Sequence, residues 1–422
     1  MIAYPSPTLE AAMTTTLFRN AAVLNVHLGE IRPDQSVIVE DGLIREVGPS
    51  NEVRVTDPDR VIDVKGRTLM PGLVDGHVHV YFQSFDTPEL LRWRPSYLVA
   101  KAARSLSDML QRGFTTVRDT GGADFALAQA VDEGVLDGPR LIFGGLALTQ
   151  TGGHGDGRSR NEVNPTGCSR CPTIALVADG VDEVRKGTRE ILRTGAHHVK
   201  LMLSGGVTSP TDSISSTQYS DEEIAVAVAE ASSQGAYVTG HTYLAGAISN
   251  ALRIGLKCIE HGNLIDETTV KDFIRYDAFL VPTLVTYNTM DRLGPSMGLS
   301  AESHAKNSQV LESGLSALEM AHAEGVKLVY GSDLIGGQQV HQLEEFAIRR
   351  EVQPAIDVIR AATTTAAELV GLEGRIGVVG PEAYADLIIV DGDPLKDISV
   401  LTDPDRYLSM VMKGGMVYRD RL

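Results

Sequence analysis

The stretch Pro71-Gly72-Leu73-Val74-Asp75-Gly76-His77-Val78-His79 ends an apolar, β-branched run in two histidines one residue apart. Side chains at i and i+2 of a strand share a face, so His77 and His79 can aim two imidazoles at one point. That arrangement suits a metal ion with neutral nitrogen ligands; a chance pair at a strand end is the alternative at this stage. Five further positions carry chemistry at or near the ends of apolar runs. Lys200 lies inside Val199-Lys-Leu-Met-Leu203, where a free ammonium is costly to bury. His241 follows Val238-Thr-Gly240, His261 follows Cys258-Ile-Glu260, and Asp333 follows Val329-Tyr-Gly-Ser332. Tyr243 stands two residues past His241.

The elements that must position these residues alternate. Gly113–Asp119, Leu141–Phe143, Ala196–Leu203, Ala236–Thr239, Cys258–Ile259, Ala278–Pro282 and Val326–Tyr330 read as strands, while Asp221–Gln234 and Gly314–Ala323 show helical periodicity. Such alternation favours a parallel (β/α)8 barrel, whose active site lies at the strand C-termini. The intervals between the singled-out residues match whole βα units and place them after strands 1, 4, 5, 6 and 8. Short β-type runs before Val64, separated by turns such as Asp41-Gly42, match the style of the last fifty or so residues. Neither end could bury a sheet face alone. The expected division is a loosely ordered N-terminus (1–15), a discontinuous β-sandwich domain (16–66 plus 375–422) and a barrel (67–374). Met13 is an alternative start.

The set Pro71–His79, a strand lysine, two later histidines and Gly331-Ser-Asp333 resembles the amidohydrolase superfamily. It is similar in particular to the imidazolonepropionase-like and Xaa-Pro dipeptidase branch, which includes ochratoxin-type amidases. Gly113-Phe-Thr-Thr-Val-Arg-Asp-Thr-Gly-Gly122, Gly152-Gly-His-Gly-Asp156, Ser204-Gly-Gly-Val207, Ile259-Glu-His-Gly262 and Ala385-Asp-Leu-Ile388 add local matches. The resemblance implies a distorted α/β TIM barrel with a small β-sandwich from both termini. It also implies two divalent metal ions, usually zinc, bridged by Lys200 carboxylated by carbon dioxide. His77, His79 and Asp333 would hold one ion, His241 and His261 the other, and Lys200 both. Attack by a metal-bridging hydroxide would then cleave an amide C–N bond. Asp333 would carry the proton to the leaving nitrogen, and Tyr243 would donate to the carbonyl oxygen as it gains charge.

By the same resemblance His154, between glycines, faces the substrate and binds a carboxylate, with Arg170 as a helper. Thr283, Thr286 and Tyr287 are candidates for the pocket wall or for support behind it, and His341 for its border. His198, two residues before Lys200, is expected to be a packed interior histidine; His27, His304 and His322 belong to sheet or helix surfaces. Phe82, Trp93 and Tyr97 suggest an aromatic wall, or equally helix-packing anchors. The expected substrates are dipeptides or N-acyl amino acids with a free carboxylate. Aryl or mycotoxin amides, carbamates or phenylureas, and cyclic amides are the alternative, and a non-catalytic barrel scaffold is a remote one.

Composition narrows the partners. Thirty-eight basic against 55 acidic residues give −17, which disfavours nucleic acid and anionic membranes and leaves a small-molecule substrate. Cys168, Cys171 and Cys258 are too few for a disulfide framework, and Cys168-Ser-Arg-Cys171 lacks a second pair to complete a zinc site. No apolar run reaches membrane-spanning length, and the N-terminus lacks a signal-peptide pattern. A cytoplasmic location is expected, and the resemblance implies a homo-oligomer.

Overall fold

The computed structural model describes residues 14–158 and 174–422; Cys168, Arg170 and Cys171 lie outside that range. Near the N-terminus, Thr15–Asn25 pairs antiparallel with Glu30–Glu40, which pairs with Leu43–Pro49. Asp41 and Gly42 both take positive φ, the backbone that a two-residue hairpin needs to follow strand twist. On its other side Thr15–Asn25 meets Arg60–Asp63 and Thr68–Pro71 in parallel. Thr68–Pro71 then pairs antiparallel with Leu387–Val390, which continues the sheet into Leu408–Lys413 and Met416–Asp420. The two ends of the chain thus share one sheet and one apolar layer, in which Phe18, Val37 and Leu69 pack with Leu387, Ile389 and Met410.

Gly72 carries the chain from this sheet into the barrel. A Cβ there would fall 2.2 Å from Thr115 Oγ1, so no side chain fits. Three parallel strands follow, Leu73–Val78, Phe114–Asp119 and Arg140–Phe143. The other five are His198–Met202, Tyr237–Leu244, Cys258–Leu264, Phe279–Val281 and Lys327–Leu328. The His197 amide donates to the Phe143 carbonyl at 2.9 Å and joins the two runs. The last strand closes on the first through Gly76 N to Tyr330 O at 2.7 Å and Asp333 N to His77 O at 2.8 Å. The result is a distorted (β/α)8 barrel beside a terminal β-sandwich.

Helices cover the barrel for local reasons. Asp221–Ser233 starts with a reciprocal capping box between Ser220 and Glu223, and buries Ile224, Ala227 and Ala231 along one stripe. Asp266 caps Glu267–Arg275. The helix Ala301–Ala323 begins well before the periodic stretch from Gly314, because its first turns bury polar Ser303, Lys306 and Asn307. Two strands also run longer than their apolar runs: His241 and His261 sit inside Tyr237–Leu244 and Cys258–Leu264, with Thr242 paired to His261. Pairing there continues past the point where side chains turn polar. Among the described residues, no helix is long and apolar enough to cross a membrane.

Two glycines permit the closing approach. A Cβ on Gly76 would stand 2.6 Å from Val329 Cγ1, and one on Gly331 would stand 2.3 Å from Val281 Cγ1 and 2.9 Å from His77 Cβ. Replacing Gly331 with Ala should therefore lower unfolding free energy by about 1–3 kcal/mol, the range for overpacking a tight interior. Chemical denaturation measures this, and an unchanged midpoint would show that the seam tolerates a methyl group.

Candidate functional site

A cavity opens at the strand C-termini, and it is lined by His77, His79, His154, Lys200, His241, Tyr243, His261 and Asp333. The structure thus gathers residues from the ends of five strands and from one loop. Phe82, Ile174, Met202, Met290 and Ile335 form its apolar wall, with Tyr287 beside Tyr243.

The histidines are held by one nitrogen each, and the partners fix which. Nδ1 of His77 meets Glu260 Oε2 at 2.8 Å, Nδ1 of His79 meets the Gly121 carbonyl at 2.9 Å, and Nδ1 of His261 meets Thr283 Oγ1 at 2.7 Å. This leaves Nε2 of each ring for the cavity. His241 is turned the other way, with Nε2 3.4 Å from the Gly205 carbonyl. Nε2 of His77 and Nε2 of His79 stand 3.3 Å apart, and each lies near Asp333 Oδ1, at 3.3 and 3.2 Å. Ligands on a tetrahedral ion with bonds of ~2.0–2.2 Å are separated by roughly 3.3–3.6 Å. His77, His261 and Asp333 also offer ligand atoms within 4.8 Å of one another. The donor set therefore fits a divalent cation, and its imidazole–carboxylate chemistry suits zinc.

Electrostatics agree. Burial holds His241 and His261 well below the ordinary histidine range, so both are neutral, the form in which an imidazole could bind a metal. Burial would raise the Asp333 carboxyl, but His77, His79 and His261 outweigh it and hold the group well below the carboxylate range. Burial also lowers Lys200 to about 8, partly offset by Glu260 and Asp333. At pH 7 about a tenth of this amine is then uncharged, far more than for an ordinary lysine.

Support comes from residues that sequence reasoning passed over. Glu260 is fully buried and accepts from Arg118 Nη2 at 2.6 Å and from Thr239 Oγ1, besides its contact with His77. Burial alone would raise its carboxyl, yet Arg118 and Lys200 keep it well below the usual range. Asp75 accepts from the amides of His77 and Ser332 at 3.0 and 3.1 Å, the Ser332 hydroxyl at 2.6 Å and Gln342 at 2.8 Å. Asp119 accepts from the Val80, Gly121 and Ala123 amides, fixing the carbonyl that orients His79. The only advance signals for these three were an acid inside a strand motif or a strand-end Asp.

The backbone is strained beside the cavity. His261, Thr283 and Asp333 have φ of 78°, 49° and 51°. For a β-branched residue such as Thr283 the left-handed region is an outlier, costing on the order of 1–3 kcal/mol.

Other expected residues fall elsewhere. Thr283 is fully buried behind His261 and meets that ring, not the cavity; Thr286 is also buried, whereas Tyr287 lines the cavity. His154 lines the cavity, and burial lowers it to about 4. Arg170 lies outside the described residues. His198 is fully buried and stacks on Tyr237. His341 pairs with Glu344, away from the cavity lining; His304 and His322 sit near Asp291 and Asp357. Phe82 lines the cavity, while Trp93 and Tyr97 pack edge to face against each other.

With this geometry established, comparison with known proteins gives consistent matches. The Amidohydrolase family matches residues 68–417. The ochratoxinase of Aspergillus niger is 31% identical over 411 residues, covering 93% of this chain and 84% of the relative. A solved amidohydrolase structure superposes with a TM-score of 0.94 at 43% identity, covering 97% of this chain and 100% of the other. A prolidase solved with N-methylphosphonate-L-proline gives 0.93 at 41% identity, covering 96% and 100%.

The Thr283 contact yields a test. Thr283→Val removes the acceptor on His261 Nδ1 while keeping a β-branched side chain, and should weaken zinc affinity by about 10–100-fold. Competition against a chromogenic chelator measures this. Wild-type affinity in the variant would show that the contact does not orient the ring.

Proposed function

This chain belongs to the amidohydrolase family and is a hydrolase, and on that premise we propose that it cleaves an amide C–N bond of a small molecule with two bound divalent ions. His77, His79 and Asp333 would hold one ion, His241 and His261 the other, and Lys200, carboxylated on Nζ, both. The barrel, residues 67–374, is the catalytic body in this reading. The observation that carries it is the triangle of His77 Nε2, His79 Nε2 and Asp333 Oδ1, with edges of 3.2–3.3 Å. Such ions supply a lowered pKa for water and Lewis-acid polarisation of a carbonyl.

The chain's own groups do the rest. Lys200 reaches its carboxylated form when the neutral amine adds to carbon dioxide and releases a proton, and a pKa near 8 favours that amine. Carboxylation replaces a buried cation by an anion with two oxygens. Asp333, ionised and beside the histidines, takes the proton of the attacking water and delivers it to the leaving nitrogen. Tyr243 is buried, and burial raises its phenol, so it stays protonated and donates to the carbonyl oxygen as charge develops there.

We favour dipeptides or N-acyl amino acids with a free carboxylate as substrates, in line with the proline phosphonate held by the 41%-identical prolidase. A second reading, an aryl or mycotoxin amide, carbamate, phenylurea or cyclic amide, is favoured by the apolar wall. Among the described lining residues Lys200 is the one lysine or arginine, so none remains to anchor a carboxylate once it bridges ions. The proposal includes a homo-oligomeric assembly, which sedimentation would size.

Turnover of Xaa-Pro dipeptides, N-acyl amino acids and aryl carbamates by protein loaded with zinc and bicarbonate separates these readings. Chelation should abolish activity, and zinc should restore it. Asp333→Asn should lower kcat by about 10²–10⁴-fold. Full activity after complete metal removal, or a near-normal rate in Asp333→Asn, would refute the mechanism.

A further inference from the structure

The seam between the first and last strands is gripped from behind by the loop that follows Asp333. The turn Gly336–His341 is a 3-10 helix capped by Gln342, and residues three apart in such a helix share a face. Gln339 and Gln342 accordingly reach one stretch of the first strand, on either side of His77. Gln342 Nε2 donates to Asp75 Oδ2 at 2.8 Å, and Gln339 Nε2 donates to the His79 carbonyl at 3.2 Å. Both glutamines are buried. The Gln342 backbone is held as well, since the Tyr330 hydroxyl donates to its carbonyl. Behind Gln342 stands Arg112, the residue that ends the helix Pro95–Gln111. Its Nε and Nη2 both donate to Gln342 Oε1, at 3.0 and 2.9 Å. Asp75, Gln342 and Arg112 are not among the residues that line the cavity.

Charge gives this arrangement its purpose. Asp75 is fully buried, and the four groups that donate to it, two amides, a hydroxyl and the Gln342 side chain, are all neutral. A buried carboxylate is costly without compensation. An arginine only donates and a carboxylate only accepts. The Gln342 amide between them is therefore fixed end for end, oxygen to Arg112 and nitrogen to Asp75. Each of these bonds polarises the amide in the direction that strengthens the other. Burial lowers the Arg112 guanidinium to about 10, so it keeps its charge at neutral pH. Without Arg112, the buried Oε1 loses both N–H groups it accepts from, and the amide is held at one end only. We propose that Arg112 and Gln342 are positioning residues that lock the first strand against the last, Arg112 acting solely through the Gln342 amide. The lock stands on this geometry alone, while its effect on a bound ion rests on the proposed metal site.

Hydrogen exchange of the full, metal-free chain tests the lock, and zinc titration against a chelator tests its consequence. Arg112→Met, Gln342→Met and the double variant form a cycle. Each single variant should speed exchange in the peptides 73–80 and 329–335, while the sandwich strand Leu408–Lys413 keeps its wild-type rate. A loss of stability throughout the fold would instead speed all three. Each single variant should also weaken zinc binding by about tenfold. The double variant should match Gln342→Met alone in both measurements, because Arg112 has no other route to the seam. Unchanged exchange at 73–80 in Arg112→Met, equal acceleration in all three peptides, or losses that multiply in the double variant would overturn the proposal. Arg112 is only half-buried, so its arm decides the question even if Gln342→Met does not fold. If the wild type binds no zinc, the proposed metal site fails, and the exchange rates still decide the lock.

Discussion

The Asp75 carboxylate accepts hydrogen bonds from both the first and the last strand of the barrel, and the geometry of the site follows from that seam. His77 and His79 come from one edge and Asp333 from the other, far apart in sequence. Gly76 and Gly331 let the backbones approach, and the carboxylate then fixes their relative height. A shift of one residue in this closure would move Asp333 to the wrong face. The three atoms near 3.3 Å apart are thus a product of barrel closure as much as of the residues themselves.

Charge inside the barrel is organised by the same logic. Arg118 and Glu260 are fully buried and pair with each other, and Glu260 passes the interaction on to His77. An unpaired ion at that depth would be costly, and a paired one with its remaining hydrogen bonds met is tolerable. Arg349 and Glu345 form a second buried pair behind the last strand, with Arg349 Nη2 donating to the Val329 carbonyl. Polar layers thus support the rim from below where an apolar filling could not orient an imidazole.

The fold and the rim residues were legible for a definite reason. Apolar runs ending in His77, His79, His241, His261 and Asp333 mark strand C-termini, and barrel topology sends all such ends to one face. What stood behind them was not legible. Glu260 looked like part of a strand, and its partner Arg118 lies on another strand well over a hundred residues away. Ser209, Asp212 and Lys306 meet only because a loop folds back onto a distant helix. Thr283 carried no sign of left-handed backbone, since propensity argues against it there.

Those left-handed positions carry an implication for how this chain can change. His261, Thr283 and Asp333 each sit in backbone that glycine would adopt at less cost. At all three, the residue that best relieves the backbone is one that cannot grip anything. Selection for heat tolerance alone would thus pull against the rim, and robustness has to be gained at sites remote from it.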